Sequence, residues 1–179
     1  MNMDGKTYNG GLFVVLLVAG IVGGFSINNY LVSDESFEGI KVGSEAPDFS
    51  LTDTEGNEFS LSDYEGEKVL VLEFMNMNCG TCKNFEKDAM KSYCNESMPE
   101  DVEVISVTQT KNTDESKLAE RSDEMGWRFM KGSSEMTDTF GADRSPTVVI
   151  IDKDGIITFL ESGSMSKSEL EENINAALE

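Results

Sequence analysis

Val69-Leu-Val-Leu-Glu-Phe-Met-Asn-Met-Asn-Cys79-Gly-Thr-Cys82 holds two local signals around which the rest of the chain can be arranged. Its first half, Val69 to Met75, is a continuous apolar run broken by one acid, Glu73, as expected for a central strand covered on both faces. From Thr81 to about Tyr93, Cys82, Phe85, Ala89 and Tyr93 then recur at helical spacing, while Lys83, Lys87 and Lys91 line a different face. The cysteine pair therefore sits where a buried strand hands over to an amphipathic helix. Residues three apart on a helix have Cβ atoms about 5–6 Å apart, near enough to form a disulfide after a small adjustment. Unsatisfied N–H groups and the dipole at a helix start favour a thiolate on the first cysteine. Cys79 is thus the expected nucleophile, and the deeper Cys82 the thiol that resolves a mixed disulfide.

On the N-terminal side, Phe49, Leu51, Phe59 and Leu61 alternate with polar residues about Asp53-Thr-Glu-Gly-Asn57, which predicts a leading hairpin. On the C-terminal side, Val102–Val107 reads as a strand and Asp114–Met125 as a charged helix ended by Gly126. A short strand over Trp127–Met130 and a short helix over Glu135–Phe140 follow. Thr147–Asp152 and Ile156–Leu160 flank the turn Asp152-Lys-Asp-Gly155, and Lys167–Leu178 is a closing helix. Strand and helix alternate and then give way to a hairpin. The fold class is therefore α/β, with a central mixed β-sheet flanked by helices.

Composition removes whole classes of chemistry. Among 179 residues there is no histidine, so imidazole catalysis and histidine-ligated metal centres are excluded. Three cysteines cannot build a four-thiolate zinc site within one chain, and the acids of the Asp152 turn lack calcium-loop spacing. No metal and no cofactor is expected. A formal charge of -20, from 14 Lys+Arg against 34 Asp+Glu, repels phosphate backbones and argues against nucleic-acid partners. By itself a C-x-x-C can be half a zinc site; with no second pair and no histidine, a redox couple is the stronger reading.

Residues 11–27 carry no charge, within an uncharged stretch from Thr7 to Ser33. The domain plan is a tail over 1–10, a transmembrane anchor over 11–27, a polar linker over 28–41 and one folded domain over 42–179. A cleaved signal segment, yielding a secreted form, is the alternative. Lys6 precedes the span while Asp34, Glu35 and Glu38 follow it, which places the N-terminus inside and the domain outside the cytoplasm.

The strand Val69–Met75, the Cys79-Gly-Thr-Cys82 motif, Ser145-Pro146-Thr147 before a hairpin, and Gly43-Ser-Glu-Ala-Pro-Asp-Phe49 together resemble the thioredoxin-like superfamily. Within it they look like the membrane-anchored TlpA/ResA-like thiol-disulfide oxidoreductases of the redoxin branch. The resemblance spans nearly all of residues 42–179. It implies a thioredoxin-like fold with a cis Pro146 against the disulfide and the backbone of Ser145 pairing with an extended substrate. Gly80 and Thr81 are then part of the substrate-facing surface. Glu73, six residues before Cys79, matches the family's buried acid, whose raised pKa lets it exchange a proton. The implied partners are disulfide-containing proteins and a membrane electron donor, for a domain expected to act as a monomer. The chain departs from the family at Asn78, where tryptophan is usual, and in its Gly-Thr dipeptide. A peroxiredoxin-like peroxidase shares the leading hairpin, but Leu72 and Asn76 stand where that motif needs Pro and Thr/Ser. A redox sensor or metal-delivery protein is the binding-class alternative. Cys94 reads as a small packed residue rather than a third redox thiol.

Overall fold

The computed structural model describes residues 40–110 and 112–179. The expected tail over 1–10, the expected anchor over 11–27 and the expected linker as far as residue 39 lie outside the described residues. Among those described, no helix is long and apolar enough to cross a membrane.

Strand β1 (Ser50–Thr52) pairs antiparallel with β2 (Glu58–Ser60) through Leu51 opposite Phe59, forming the expected leading hairpin. Asp53 closes its turn: Oδ1 accepts from the N–H groups of Glu55 and Asn57. Leu61 does not continue β2 but opens a 3₁₀ turn over Leu61–Asp63, because Asp63 accepts from the Ser60 N–H and caps it. The hairpin is fastened to the main sheet by Arg128, whose guanidinium lies 4.2 Å from the centre of the Phe59 ring.

The main sheet has five strands: β3 (Val69–Met75), β4 (Val102–Thr108), β5 (Arg128–Lys131), β6 (Thr147–Ile151) and β7 (Ile157–Ser162). Their spatial order is β5-β4-β3-β6-β7, with β3, β4 and β5 parallel and β6 and β7 antiparallel to their neighbours. The sheet is mixed, as the sequence predicted. β5 begins and ends one residue later than its apolar run, since Trp127 precedes the paired segment. Segment Gly43–Ala46 runs beside the start of β7: the Gly43 N–H donates to the Ile157 carbonyl (2.7 Å) and the Ala46 N–H to the Gly155 carbonyl (2.8 Å).

The cysteine-bearing helix runs as α1 (Gly80–Phe85), a π-helical turn over Glu86–Met90, and α2 (Lys91–Glu96). It extends past the expected end at Tyr93, and its wider middle turn has no marker in the sequence. Helix α3 (Glu115–Met125) is capped by Asp114 and stopped by Gly126, whose φ of 91° is a conformation that favours glycine. Helices α4 (Ser134–Thr139) and α5 (Lys167–Leu178) begin with capping Ser133 and Ser166.

Strand parity divides the core in two. Val69, Val71 and Met75 face one side, with Cys82, Phe85, Tyr93, Leu118, Trp127 and Ile174. Leu70, Leu72 and Phe74 face the other, with Phe49, Leu61, Met136 and Phe140. Glu73 shares the parity of Val71 and Met75, so its carboxyl belongs to the layer that contains Cys82.

Candidate active site

Between β3 and α1 the chain turns tightly. Asn76 accepts from the Asn78 N–H through Oδ1 (3.0 Å) and from the Cys79 N–H through its carbonyl (2.9 Å). This turn delivers Cys79 to the N-cap of α1, where its Sγ accepts from the Cys82 N–H at 3.0 Å. Asn78, in the place where tryptophan is usual in the family it resembles, is exposed and supplies its N–H to that turn. The two cysteines form a disulfide with Cα atoms 5.3 Å apart. Cys79 is half-buried and Gly80 and Thr81 are exposed, while Cys82 is 0% exposed. One residue of the couple is therefore partly exposed and the other wholly enclosed.

The loop before β6 supplies the second wall. The Ser145–Pro146 peptide bond is cis, and the Ser145 carbonyl oxygen lies 3.6 Å from Cys79 Sγ. Pro146 is buried and its carbonyl accepts from the Gly163 N–H at 2.8 Å. Thr147 Oγ1 donates to the Arg144 carbonyl at 2.9 Å.

On the central strand, Glu73 is fully buried and stands opposite Ser106 of β4. Trp127 Nε1, which can only donate, donates to Ser106 Oγ at 2.9 Å, so the serine proton must point elsewhere. It points to Glu73 Oε2, at 2.5 Å. Among the described residues, Glu73 Oε1 has no hydrogen-bond partner. Burial, and then the negative charge of Glu86, push the Glu73 carboxyl well above its ordinary value, against the opposing hydrogen bond from Ser106. β3 is the central strand in the order β5-β4-β3-β6-β7, so Glu73 does not lie at a sheet edge.

Sequence reasoning did not find the second buried acid. Glu86, at the start of the π turn, is fully buried and takes hydrogen bonds from Arg121 of α3 through Nε (2.8 Å) and Nη2. Burial raises its pKa and Arg121 opposes the rise. The available signals were a charged residue within each apolar stripe: Glu86 beside Phe85 and Ala89, and Arg121 between Leu118 and Met125. Cys94 is half-buried and packs against the core, and burial pushes its thiol up to about 11, so it is protonated at neutral pH.

Two sulfurs one helical turn apart, one reachable and one enclosed, can bond, open and bond again without moving the backbone far. A sheet of this topology carrying such a couple defines the class: a thiol-disulfide oxidoreductase with a thioredoxin-like fold. The Redoxin family model matches residues 41–178, and the chain belongs to that family. It is 31% identical over 170 residues to the thiol-disulfide oxidoreductase ResA of Bacillus thuringiensis subsp. konkukian, covering 90% of this chain and 91% of that one. The corresponding ResA of Geobacillus kaustophilus is 30% identical over 171 residues, with 90% and 91% covered. The fold matches the thioredoxin domain of a thiol-disulfide oxidoreductase from Bacteroides vulgatus with a TM-score of 0.63 at 20% identity, covering 76% of this chain and 99% of that one. It also matches the exposed lipoprotein thioredoxin of Streptococcus pneumoniae with a TM-score of 0.61 at 23% identity, covering 73% and 99%.

Proposed function

We propose that this oxidoreductase reduces disulfides of protein substrates outside the cytoplasm, held to the membrane by residues 11–27 and supplied with electrons by a membrane partner. The tether and its orientation rest on the uncharged run in the sequence and on the charges that flank it. The domain division at residues 28–41 rests on the same reading.

In the reduced protein, the Cys82 N–H bond to Cys79 Sγ and the helix start favour a Cys79 thiolate. That thiolate attacks one sulfur of the substrate disulfide, forming a mixed disulfide and releasing the other sulfur as a thiolate. Cys82, its proton taken by the Glu73 carboxylate, attacks Cys79 Sγ and frees the second substrate thiolate. Two electrons pass to the substrate, the Cys79–Cys82 bond closes, and Glu73 keeps the proton until the couple is reduced again. Ser145 offers its backbone to an extended substrate segment beside Cys79, with Gly80, Thr81 and Pro146 forming the rest of the contact surface.

The observation that carries this reading is the unequal access of the two sulfurs, with Cys79 half-buried and Cys82 wholly enclosed. Its test is the reduction of insulin by the wild type and by the Cys79→Ser and Cys82→Ser variants under one reductant. Each variant is expected to fall to the uncatalysed rate, and full activity in both contradicts the mechanism.

A further inference from the structure

We propose that Gln109 is a positioning residue for substrate docking: its side chain clamps the loop from Ala142 to Pro146, and so sets affinity for extended protein substrates rather than the chemistry at sulfur. The inference rests on the reading above, in which the backbone of Ser145 receives the substrate.

Gln109 directly follows β4. Its own N–H donates to the Met75 carbonyl at 2.9 Å, which fixes it against the end of β3, just ahead of the turn that delivers Cys79. From there its amide reaches the loop at two points. Oε1 accepts from Ser145 Oγ, and Nε2 donates to the Ala142 carbonyl. A planar amide holding one acceptor and one donor contact sets both the distance and the orientation of the loop relative to the sheet.

On its far side the loop is held by β6 and the segment after β7, through Thr147 to the Arg144 carbonyl and Gly163 to the Pro146 carbonyl. On the side towards β3 and β4, Gln109 accepts from Ser145 Oγ and donates to the Ala142 carbonyl, while the Ala142 N–H donates to the Thr137 carbonyl at 2.9 Å. The Ser145 carbonyl stands 3.6 Å from Cys79 Sγ, so a loop that loses this clamp drifts relative to the sulfur it serves. A protein segment that must pair with the loop and present its disulfide to Cys79 needs both in register. A small disulfide needs only the sulfur.

The experiment mixes the prereduced protein with excess disulfide and follows re-oxidation of the couple, with insulin as one substrate and hydroxyethyl disulfide as the other. For Gln109→Met the half-saturating insulin concentration is expected to rise about tenfold, the worth of a lost pair of hydrogen bonds. The limiting rate and the hydroxyethyl disulfide rate should stay within about twofold. Gln109→Glu, which keeps an acceptor for Ser145 but faces the Ala142 carbonyl with a carboxylate, is expected to shift insulin in the same direction. Unchanged insulin saturation in both variants overturns the proposal, and so does an equal loss on both substrates. Insulin reduction by the Cys79→Ser variant at the wild-type rate instead contradicts the underlying mechanism, and this inference with it.

Discussion

Glu73 is fully buried and, among the described residues, accepts one hydrogen bond, from Ser106, and forms no ion pair. Its native pKa lies well above the ordinary 4.5, chiefly through burial. Between 4.5 and that native value the folded protein holds a proton that the unfolded chain has released, so stability declines as pH rises through the window. Below it both states are protonated and the contribution is complete. Urea unfolding of the oxidised protein and of Glu73→Gln between about pH 4 and pH 9 should therefore diverge, the wild type losing ground as pH rises. The divergence amounts to about 1.4 kcal/mol for each unit by which the pKa is displaced. Parallel curves contradict the assignment. Glu86 is present in both proteins, and because its charge acts on Glu73, Glu73→Gln removes that coupling together with the titration of Glu73 itself. Glu73 was legible in the sequence because a lone acid in an apolar strand is a local anomaly. Ser106, Trp127 and Gln109 were not, because their partners lie 21 to 36 residues away and depend on strand register and loop placement.

At the scale of elements, the cysteine helix meets α3 through apolar packing, through Lys87 and Lys91 with Glu124, and through an enclosed ion pair, Glu86 with Arg121. Removing one member of such a pair strands a charge, whereas replacing both with apolar groups is often neutral. Arg121→Leu is expected to destabilise the protein by about 3–5 kcal/mol, and Glu86→Leu/Arg121→Leu to recover most of that loss, as measured by urea unfolding. A double variant no better than the single one contradicts this account. The elements themselves were largely visible in the sequence: the β3 run, the α3 caps and the Asp152 turn are each written in a few adjacent residues. Asp152 Oδ1 accepts from the Asp154 and Ile156 N–H groups, as a turn acid should. Less visible were the 3₁₀ turn at Leu61, where Asp63 caps Ser60 against strand continuation, and the π turn at Glu86–Met90, which lacks any Gly or Pro to mark it.

Taken whole, the molecule sets a mixed sheet between two apolar layers and leaves one residue of the disulfide, Cys79, partly exposed. Alternating strands and helices made the sheet readable, and the C-x-x-C at a strand-to-helix junction made the couple readable. What the sequence withheld is the polar assembly that unites them, since every link joins elements brought together only by the finished fold. The surface is strongly acidic, at a formal -20, and the cysteine helix places Lys83, Lys87 and Lys91 among its exposed or half-buried positions. The central claim, that an accessible Cys79 opens the substrate and an enclosed Cys82 releases it, is tested most directly by covalent trapping. Reduced Cys82→Ser, mixed with a disulfide-bonded protein substrate and resolved without reductant, should accumulate a mixed disulfide through Cys79, identified by mass spectrometry. Cys79→Ser should accumulate none. Trapping through Cys82 in the Cys79→Ser variant, with none through Cys79, would contradict the account.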